Sequence, residues 1–373
     1  MTSAMPATTA ALAEAVAGYA SRFHAAVGTR HHVASPLGAW LLLALIGAPG
    51  ETLGMAAADA AHHARRLLDD PHPAVATATA AWTRDTPPAA AEWLAGLPAA
   101  VARGPVPTQD EADAWARRHT LGMIDSFPLT IDREVLVVLA NALATRISWT
   151  HPFTTTGSDA FRSAWRERVS TVLRAPEKGH VCAIARHPAA GLIGVHRALA
   201  QGLAVTSVVA GPQVAAEAVV AAAHEAARDR VERVPLVDLP LGEGPAWTLA
   251  ESTGSGDRVG AVLPAWSATS EHDLRAPAFG FDSAAAALGR LFGAGGWDAT
   301  QAATARYHRE GFEAAAVTAV AARMSFRPPG KRREAELRFD RPYAAVATAT
   351  GAGPWAGLPV FSAWVGEPAE STG

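Results

Sequence analysis

The sequence contains a single cysteine, Cys182, among its 373 residues. No intramolecular disulfide can form, so packing alone must stabilise the fold. We expect this thiol to behave as a small buried hydrophobe. Lysine is also scarce: Lys178 and Lys331 are the only two, and every other cationic side chain is arginine. Together with the abundant alanine this indicates coding bias, which lowers the information carried by any alanine-rich run.

Long apolar runs and strong net charge are absent too. The most apolar stretch, Leu37 to Ala48, is about 12 residues long, which is too short to span a bilayer. The formal net charge of -3 gives no reason to expect nucleic acid or a membrane surface as a partner. The N-terminus lacks the basic and apolar regions of a signal peptide. We therefore expect a cytoplasmic monomer, with secretion by another route left open.

Familiar catalytic motifs are missing. The sequence has no GxSxG elbow, SxxK, P-loop or HExxH. The adjacent pairs His31-His32 and His62-His63 cannot converge on one helix face, so we expect them at the surface. A metal site requires more convergent ligands than these. The sequence therefore predicts no metal site.

Hydrophobic periodicity and helix breakers divide the chain into an early helical part and a later strand-rich part. Because helices and strands do not alternate, the pattern favours a mixed α+β fold. Helices are predicted over 9–27, 37–47, 51–68, 74–83, 89–103, 109–119, 214–230 and 283–292. Strands are predicted at 135–139, twice within 192–211, and at 274–282, 300–308, 343–350 and 358–366.

Six segments between residues 31 and 368 carry recognisable motifs. The clearest is "LVVLANALATRISWTHPF", and the others are "HHVASPLGAWLLLALIGAPGETLGM", "WARRHTLGMI", "EGFEAAAVT", "FDRPYAAVA" and "VFSAWVGEP". The motif residues are Ser35, Pro36, Gly47, Ala48, Thr52, Trp115, Thr120, Gly122, Ile124, Asn141, Ala142, Trp149, Pro152, Phe153, Phe339, Arg341, Pro342, Tyr343, Phe361 and Pro368. Taken together and in this order, the segments resemble those of the serpins.

The resemblance implies a single domain over residues 1–373, with about nine helices, three β-sheets and an exposed reactive-centre loop near 309–338. It also implies a metastable inhibitor without a cofactor, whose partner is a serine protease. The protease cleaves the loop and is held as an acyl-enzyme. The freed loop then inserts as a new strand into the large sheet and distorts the protease.

The segment 311–322 has the composition that such insertion requires. Side chains that pass between two strands must be small, and Gly311 supplies a backbone that turns easily. No proline or charge interrupts Ala314 to Ala322, although an alanine-rich helix is the alternative interpretation. The period of a strand makes Phe312, Ala314, Ala316, Thr318, Val320 and Ala322 face the core. The resemblance gives the hinge as Gly311, Phe312, Glu313, Ala314, Ala315, Ala316, Val317 and Thr318.

Two ways of counting give two positions for the scissile bond. Fifteen residues forward from Gly311 lead to Ser325-Phe326, whereas counting back from Phe339 leads to Lys331-Arg332. We favour the forward count, because the inserted length must match the sheet. The alternative bait residues are Arg323, Met324, Lys331, Arg332 and Arg333.

The sequence departs from the family pattern at three positions. Phe312 stands where inhibitory members carry Thr or Ser, and its ring is predicted to slow insertion. Gly38 replaces a second serine. Gln301 replaces a histidine, and we expect the Gln301 side chain to hydrogen-bond Asn141 in its place. The resemblance assigns Ser35, Asn141, Trp149 and Gln301 to the region where the sheet opens.

Three functions remain open at this point. The leading hypothesis is a suicide-substrate inhibitor of serine proteases. The second is a non-inhibitory serpin-like binding protein whose loop is a passive substrate or interaction surface, which Phe312 and the long loop favour. The third is an unrelated α+β hydrolase.

Overall fold

The computed structural model describes residues 7–293, 295–312 and 330–368. Its α-helices are α1 (Ala7–Val27), α2 (Pro36–Ile46), α3 (Gly50–Leu53), α4 (Ala57–Asp69), α5 (Pro88–Gly96), α6 (Gln109–His119), α7 (Ala216–Ala227) and α8 (Phe281–Phe292). Four short 3-10 segments lie at Ser158–Ala160, Ala164–Glu167, Leu236–Asp238 and Pro277–Phe279.

The strands begin with β1 (His32–Ala34), β2 (Ala76–Thr83), β3 (Val101–Pro105), β4 (Val137–Ala144), β5 (Ile147–Ser148), β6 (Thr154–Thr156) and β7 (Val172–Arg174). They continue with β8 (His180–His187), β9 (Gly191–Leu199), β10 (Leu203–Val209), β11 (Glu232–Arg233), β12 (Gly242–Glu243), β13 (Trp247–Gly254) and β14 (Arg258–Pro264). The last are β15 (Trp266–Asp273), β16 (Thr300–Tyr307), β17 (Gly311–Phe312), β18 (Gly330–Arg338), β19 (Tyr343–Ala349) and β20 (Pro359–Val365).

A seven-stranded antiparallel sheet, ordered β1-β20-β19-β10-β9-β8-β11, forms the centre. Every residue of β10, β19 and β20 is buried, because helices or other strands cover both faces. The apolar sequence of these strands follows directly from that position. A six-stranded sheet, β12-β13-β18-β14-β7-β6, contains the parallel pair β14/β18.

The remaining described strands form two smaller sheets that share one run of chain. One has the order β3-β2-β4, and the other has the order β15-β16-β17-β5. Residues 137–148 connect them, since β4 pairs with β2 and its continuation β5 pairs with β17. The two sheets are therefore halves of one sheet, divided between β4 and β16. This division explains why four sheets are seen where the resemblance implies three.

The structure confirms the mixed α+β class but corrects four predicted elements. Residues 76–83 form strand β2 rather than a helix, because alternating threonine and alanine in "ATATAAWT" pair with strands on both sides. The helix predicted over 89–103 ends at Gly96, and Val101–Pro105 is a strand. Helix 51–68 is broken at Gly54, which has a φ of 73°. Residues 277–279 form a 3-10 turn where a strand was predicted, since Pro277 has no N–H to donate.

Candidate functional site

The hinge predicted at Gly311 and Phe312 lies inside the divided sheet. Phe312 is the antiparallel partner of both Tyr307 and Ile147, and Gly311 is the partner of Ser148. A Cβ at Gly311 would collide with the carbonyl oxygen of Ile147, so the two strands can approach this closely only at a glycine. In the described part of the chain, β17 is thus the one strand that pairs with both half-sheets.

The turn that leads into the hinge is fixed by three hydrogen bonds. The backbone N–H of Trp149 donates to the carbonyl of Glu310 (3.1 Å), and that of Phe153 donates to the carbonyl of Arg309 (3.0 Å). The indole Nε1–H of Trp149 donates to the carbonyl of His308 (2.9 Å). Because Trp149 and Phe153 are both buried, these bonds are shielded from water and hold the turn in place.

The ring of Phe312 is already part of the core. Its side chain is 5% exposed, and its ring centroid lies 6.4 Å from that of Trp266 and 6.5 Å from that of Tyr307. The ring is therefore not a group that still has to enter the sheet. That Phe312 slows insertion stays a prediction.

Below the hinge, the division between β4 and β16 opens into a seam with a cavity of about 680 Å³. The two strands form its sides, and α2 lies at its floor, where Gly38 and Leu42 face the cavity. The segment 123–136, which follows α6, lines the opposite face. A smaller cavity lined by Thr145 and Phe312 continues the seam upward. The seam thus runs along β4 from its first residue to the hinge.

Two polar side chains beside the seam, Gln301 and Asn141, form their hydrogen bonds with neighbouring elements. Gln301 clamps the backbone of Ser35: the N–H of Ser35 donates to Oε1 (2.9 Å), and Nε2 donates to the Ser35 carbonyl (2.8 Å). Asn141 donates through Nδ2 to Thr79 Oγ1 (2.9 Å) and the Ala78 carbonyl (3.3 Å). The expected Gln301–Asn141 hydrogen bond is absent among the described contacts. The amide of Gln301 instead accepts from the N–H and donates to the carbonyl of Ser35, the two backbone groups that a neighbouring strand would pair with.

The acceptor Oδ1 of Asn141 is buried without a hydrogen-bond partner among the described residues. The absence of a side chain at Gly38 makes room for it, since a Cβ there would lie 2.8 Å from Oδ1 and 2.9 Å from Leu143 Cδ1. An unpartnered buried acceptor is unusual in a folded protein and calls for an explanation.

Two pairs of buried histidines were missed by sequence reasoning. His24 Nδ1 lies 2.7 Å from His32 Nε2, and His180 Nδ1 lies 2.9 Å from His196 Nε2. His32 was expected at the surface and is 3% exposed, because β1 inserts it into the core. The partners lie 8 and 16 residues apart in the chain, but they meet only because the fold brings α1 to β1 and pairs β8 with β9.

One histidine of each pair donates to a backbone carbonyl. Because a carbonyl can only accept, this bond fixes which ring nitrogen carries the proton. His32 donates from Nδ1 to the carbonyl of Arg30 (2.7 Å), so its Nε2 accepts from His24. His180 donates from Nε2 to the carbonyl of His151 (2.8 Å), so its Nδ1 accepts from His196. Burial lowers the pKa of His32 and of His180 to about 4 in each case. The pairs are therefore neutral near pH 7.

Three of the predicted bait residues lie on a strand. Lys331, Arg332 and Arg333 belong to β18 and pair with β13, and the Arg333 guanidinium donates to the carbonyls of Leu236, Val237 and Leu239. The other predicted loop residues lie outside the described residues: Glu313, Ala314, Ala315, Ala316, Val317, Thr318, Arg323, Met324, Ser325 and Phe326. In the described part of the chain, no helix is long and apolar enough to cross a membrane.

Comparison with models of known families finds no match. Comparison with curated protein sequences finds none either. Solved structures, in contrast, match over nearly the whole chain. Cleaved Serpin 42Da is 12% identical with a TM-score of 0.65, covering 98% of this chain and 99% of that one. Tengpin, a thermophilic serpin in its native state, is 13% identical with a TM-score of 0.63, covering 98% of this chain and 95% of that one.

Human thyroxine-binding globulin in complex with thyroxine is a further match, at 15% identity and a TM-score of 0.64, covering 97% of this chain and 99% of that one. At such low identity these likenesses establish architecture rather than activity. They show that this chain has the serpin fold.

Proposed function

We propose that the protein is a suicide-substrate inhibitor of serine proteases, acting as one domain and one monomer. One observation carries the proposal: the seam between β4 and β16 ends at β17, where Phe312 already pairs with both half-sheets. A strand that continues from Phe312 enters the seam without a further turn. Cleavage in the loop beyond Phe312 would release that strand to fill it.

The chain itself would supply no catalytic group. The protease would contribute its own nucleophile, and the covalent acyl-enzyme would be its normal intermediate. What this protein would contribute is the free energy gained when a new strand pairs with two open edges and its small side chains are buried. Inhibition then depends on insertion outrunning deacylation.

The bait would lie between Arg323 and Phe326, with Ser325-Phe326 as the preferred bond. The ordered strand β18 supports this choice over Lys331-Arg332, because a protease requires an extended and accessible substrate, and both residues are held in the ladder with β13. A chymotrypsin- or subtilisin-like protease fits Met324 or Ser325 best as the residue before the cleaved bond.

The test is incubation with a panel of serine proteases, followed by denaturing gels, intact mass and thermal melting of the products. An inhibitor is expected to give an SDS-resistant complex and, in its cleaved form, a raised melting temperature. Cleavage within 320–329 that yields no complex and leaves the melting temperature unchanged would overturn the proposal. That outcome would support the second candidate, a non-inhibitory binding protein.

A further inference from the structure

Strand β18 lies between two strands that are consecutive in the chain. Along one edge, every residue of β13 has a partner in β18, and the last of them, Gly254, lies opposite Gly330. Along the other edge, β14 runs parallel to β18, beginning with Arg258 opposite Glu334. Residues 255–257 connect β13 to β14, so this short connection has to cross β18 near the start of the strand. We call residues 255–257 the strap.

The strap lies directly against β18. Oδ1 of Asp257 accepts a hydrogen bond from the backbone N–H of Arg333 (2.8 Å), so the last strap residue replaces a strand partner just before β14 begins. The first end of the strap is equally close, since a Cβ at Gly254 would lie 2.6 Å from Nη1 of Arg332. Gly256 has a φ of 76°, a conformation that glycine adopts without strain and that permits the tight crossing.

The side chains of β18 fix its position along the sheet. The Arg333 guanidinium donates to three backbone carbonyls just before β12, and Arg338 Nη2 donates to Oε2 of Glu243 (2.8 Å). Ala335 and Leu337 point to the other face and are buried in the core. A shift of one residue would turn each of these side chains to the opposite face. β18 can therefore neither peel away nor slide without losing these contacts.

This enclosure limits what the uncleaved chain can do. A strand that enters the seam from Phe312 without cleavage would also need a path back to Gly330, and the extra length would have to be drawn from β18. We propose that the strap and β13 lock β18 in its sheet, so that the uncleaved protein cannot fill its own seam and cleavage is the route to the inserted form. The inference rests on the proposed function and adds a device that prevents insertion without cleavage.

The contact between the strap and β18 is tested by hydrogen exchange of the intact protein. Asp257→Ala removes the acceptor, whereas Asp257→Asn keeps an oxygen at the same position. Asp257→Ala is expected to speed exchange of the Arg333 amide about tenfold, and Asp257→Asn is expected to change it little. Equal exchange in the two variants would show that the strap does not hold β18.

The lock itself is tested by lengthening the strap. A Gly-Ser-Gly-Ser insertion between Gly256 and Asp257 gives the strap enough length to move off β18. The matched control carries the same insertion between Ala352 and Gly353, in an exposed turn. Both proteins and wild type are incubated uncleaved just below their melting temperatures, checked by intact mass and then melted. The strap insertion is expected to give a form with a raised melting temperature at least about tenfold faster than the control and wild type do.

The outcomes separate the lock from the proposed function. Equal rates of conversion in the two insertion variants, or no conversion in either, would overturn the lock if cleaved wild type gains stability. If cleaved wild type gains no stability, the proposed function has failed and the lock with it.

Discussion

Phe312 and Tyr307 lie side by side in adjacent strands, both buried, with ring centroids 6.5 Å apart and an interplanar angle of 72°. Phe312→Ala should remove this edge-to-face contact and leave a cavity, lowering the free energy of unfolding of the uncleaved protein by about 3 kcal/mol. Chemical denaturation measures the change. Val237→Ala is the control, since Val237 is 65% exposed and should change stability little. Equal effects of the two substitutions would contradict the burial described for Phe312.

Phe312→Thr tests the predicted brake on insertion. A residue of the kind found in inhibitory serpins at this position should raise the fraction of protease trapped relative to the fraction of inhibitor turned over. The ratio is measured from gels at fixed protease concentration. An unchanged or lowered ratio would show that the ring does not slow insertion.

Gly311→Ala should detach the hinge from the sheet. The new Cβ meets the Ile147 carbonyl, a backbone atom that cannot rotate away, so the pairing of β17 with β5 should be lost. Hydrogen exchange is expected to rise at residues 309–312 and 147–149. The matched control is Gly330→Ala, where a Cβ would meet, among the described residues, only the Gly254 carbonyl oxygen within 4 Å, at 3.9 Å. Unchanged exchange in Gly311→Ala would mean that the ladder tolerates a Cβ.

Gly38→Ala should be destabilising even though it improves helix propensity. The new Cβ would press on Asn141 Oδ1 at 2.8 Å and Leu143 Cδ1 at 2.9 Å. We expect a net loss of about 1–2 kcal/mol, since overpacking outweighs the gain of roughly 1 kcal/mol for replacing a helical glycine. Gly18→Ala in α1 meets nothing closer than 4.0 Å and should stabilise the protein. Denaturation midpoints that move in the same direction would refute the close fit at Gly38.

Acid should destabilise the protein through its buried histidines. Burial lowers the pKa of His32 and His180 to about 4, below the value of 6.5 in the unfolded chain. The unfolded state then binds more protons between these values, so stability is fully present above about pH 6.5 and falls as the pH drops toward 4. Each histidine contributes up to about 1.4 kcal/mol per pH unit, so the slope should be about 2–3 kcal/mol per pH unit midway between these values, measured by denaturation at several pH values.

A variant of one histidine separates this effect from general acid denaturation. Burial also lowers the pKa of His224 to about 3, and its Nε2 has no hydrogen-bond partner among the described residues. His224→Leu should therefore leave neutral-pH stability nearly unchanged and make the loss in acid less steep. An identical acid profile would show that burial of His224 does not contribute.

Arg333 should be structural rather than bait. Its guanidinium donates to three backbone carbonyls, which Arg333→Ala would leave without their donor, lowering stability by about 2 kcal/mol. Lys331→Ala, at an exposed position on the same strand, should have little effect. Loss of inhibition of a trypsin-like protease by either variant, with stability intact, would instead favour a scissile bond in β18.

The sequence predicted the class of fold, because this class depends on local composition and on the order of the elements. The hinge role of Gly311 and Phe312 stays a prediction. Strand β16 and the closing strands β19 and β20 were predicted from their alternating or continuous apolar residues. Strand β2 was not, since alanine in a biased sequence carries little preference and its partners lie far along the chain. The Gln301–Ser35 clamp joins residues 266 apart in the chain, and the two histidine pairs join α1 to β1 and β8 to β9. These contacts depend on the tertiary arrangement, which no local pattern encodes.

The ladder at β17 also bears on the order of assembly. It joins Ser148 to Gly311, about 160 residues apart, whereas β15 and β16 can pair with each other before it forms. Closing so long a loop costs conformational entropy that only two residue pairs offset, so this contact should form late in folding. Each half-sheet should therefore form first, and the short pairing of β17 with β5 should join the two half-sheets last. Folding would stop there, with the remaining edges apart, because no described strand is available to pair between them.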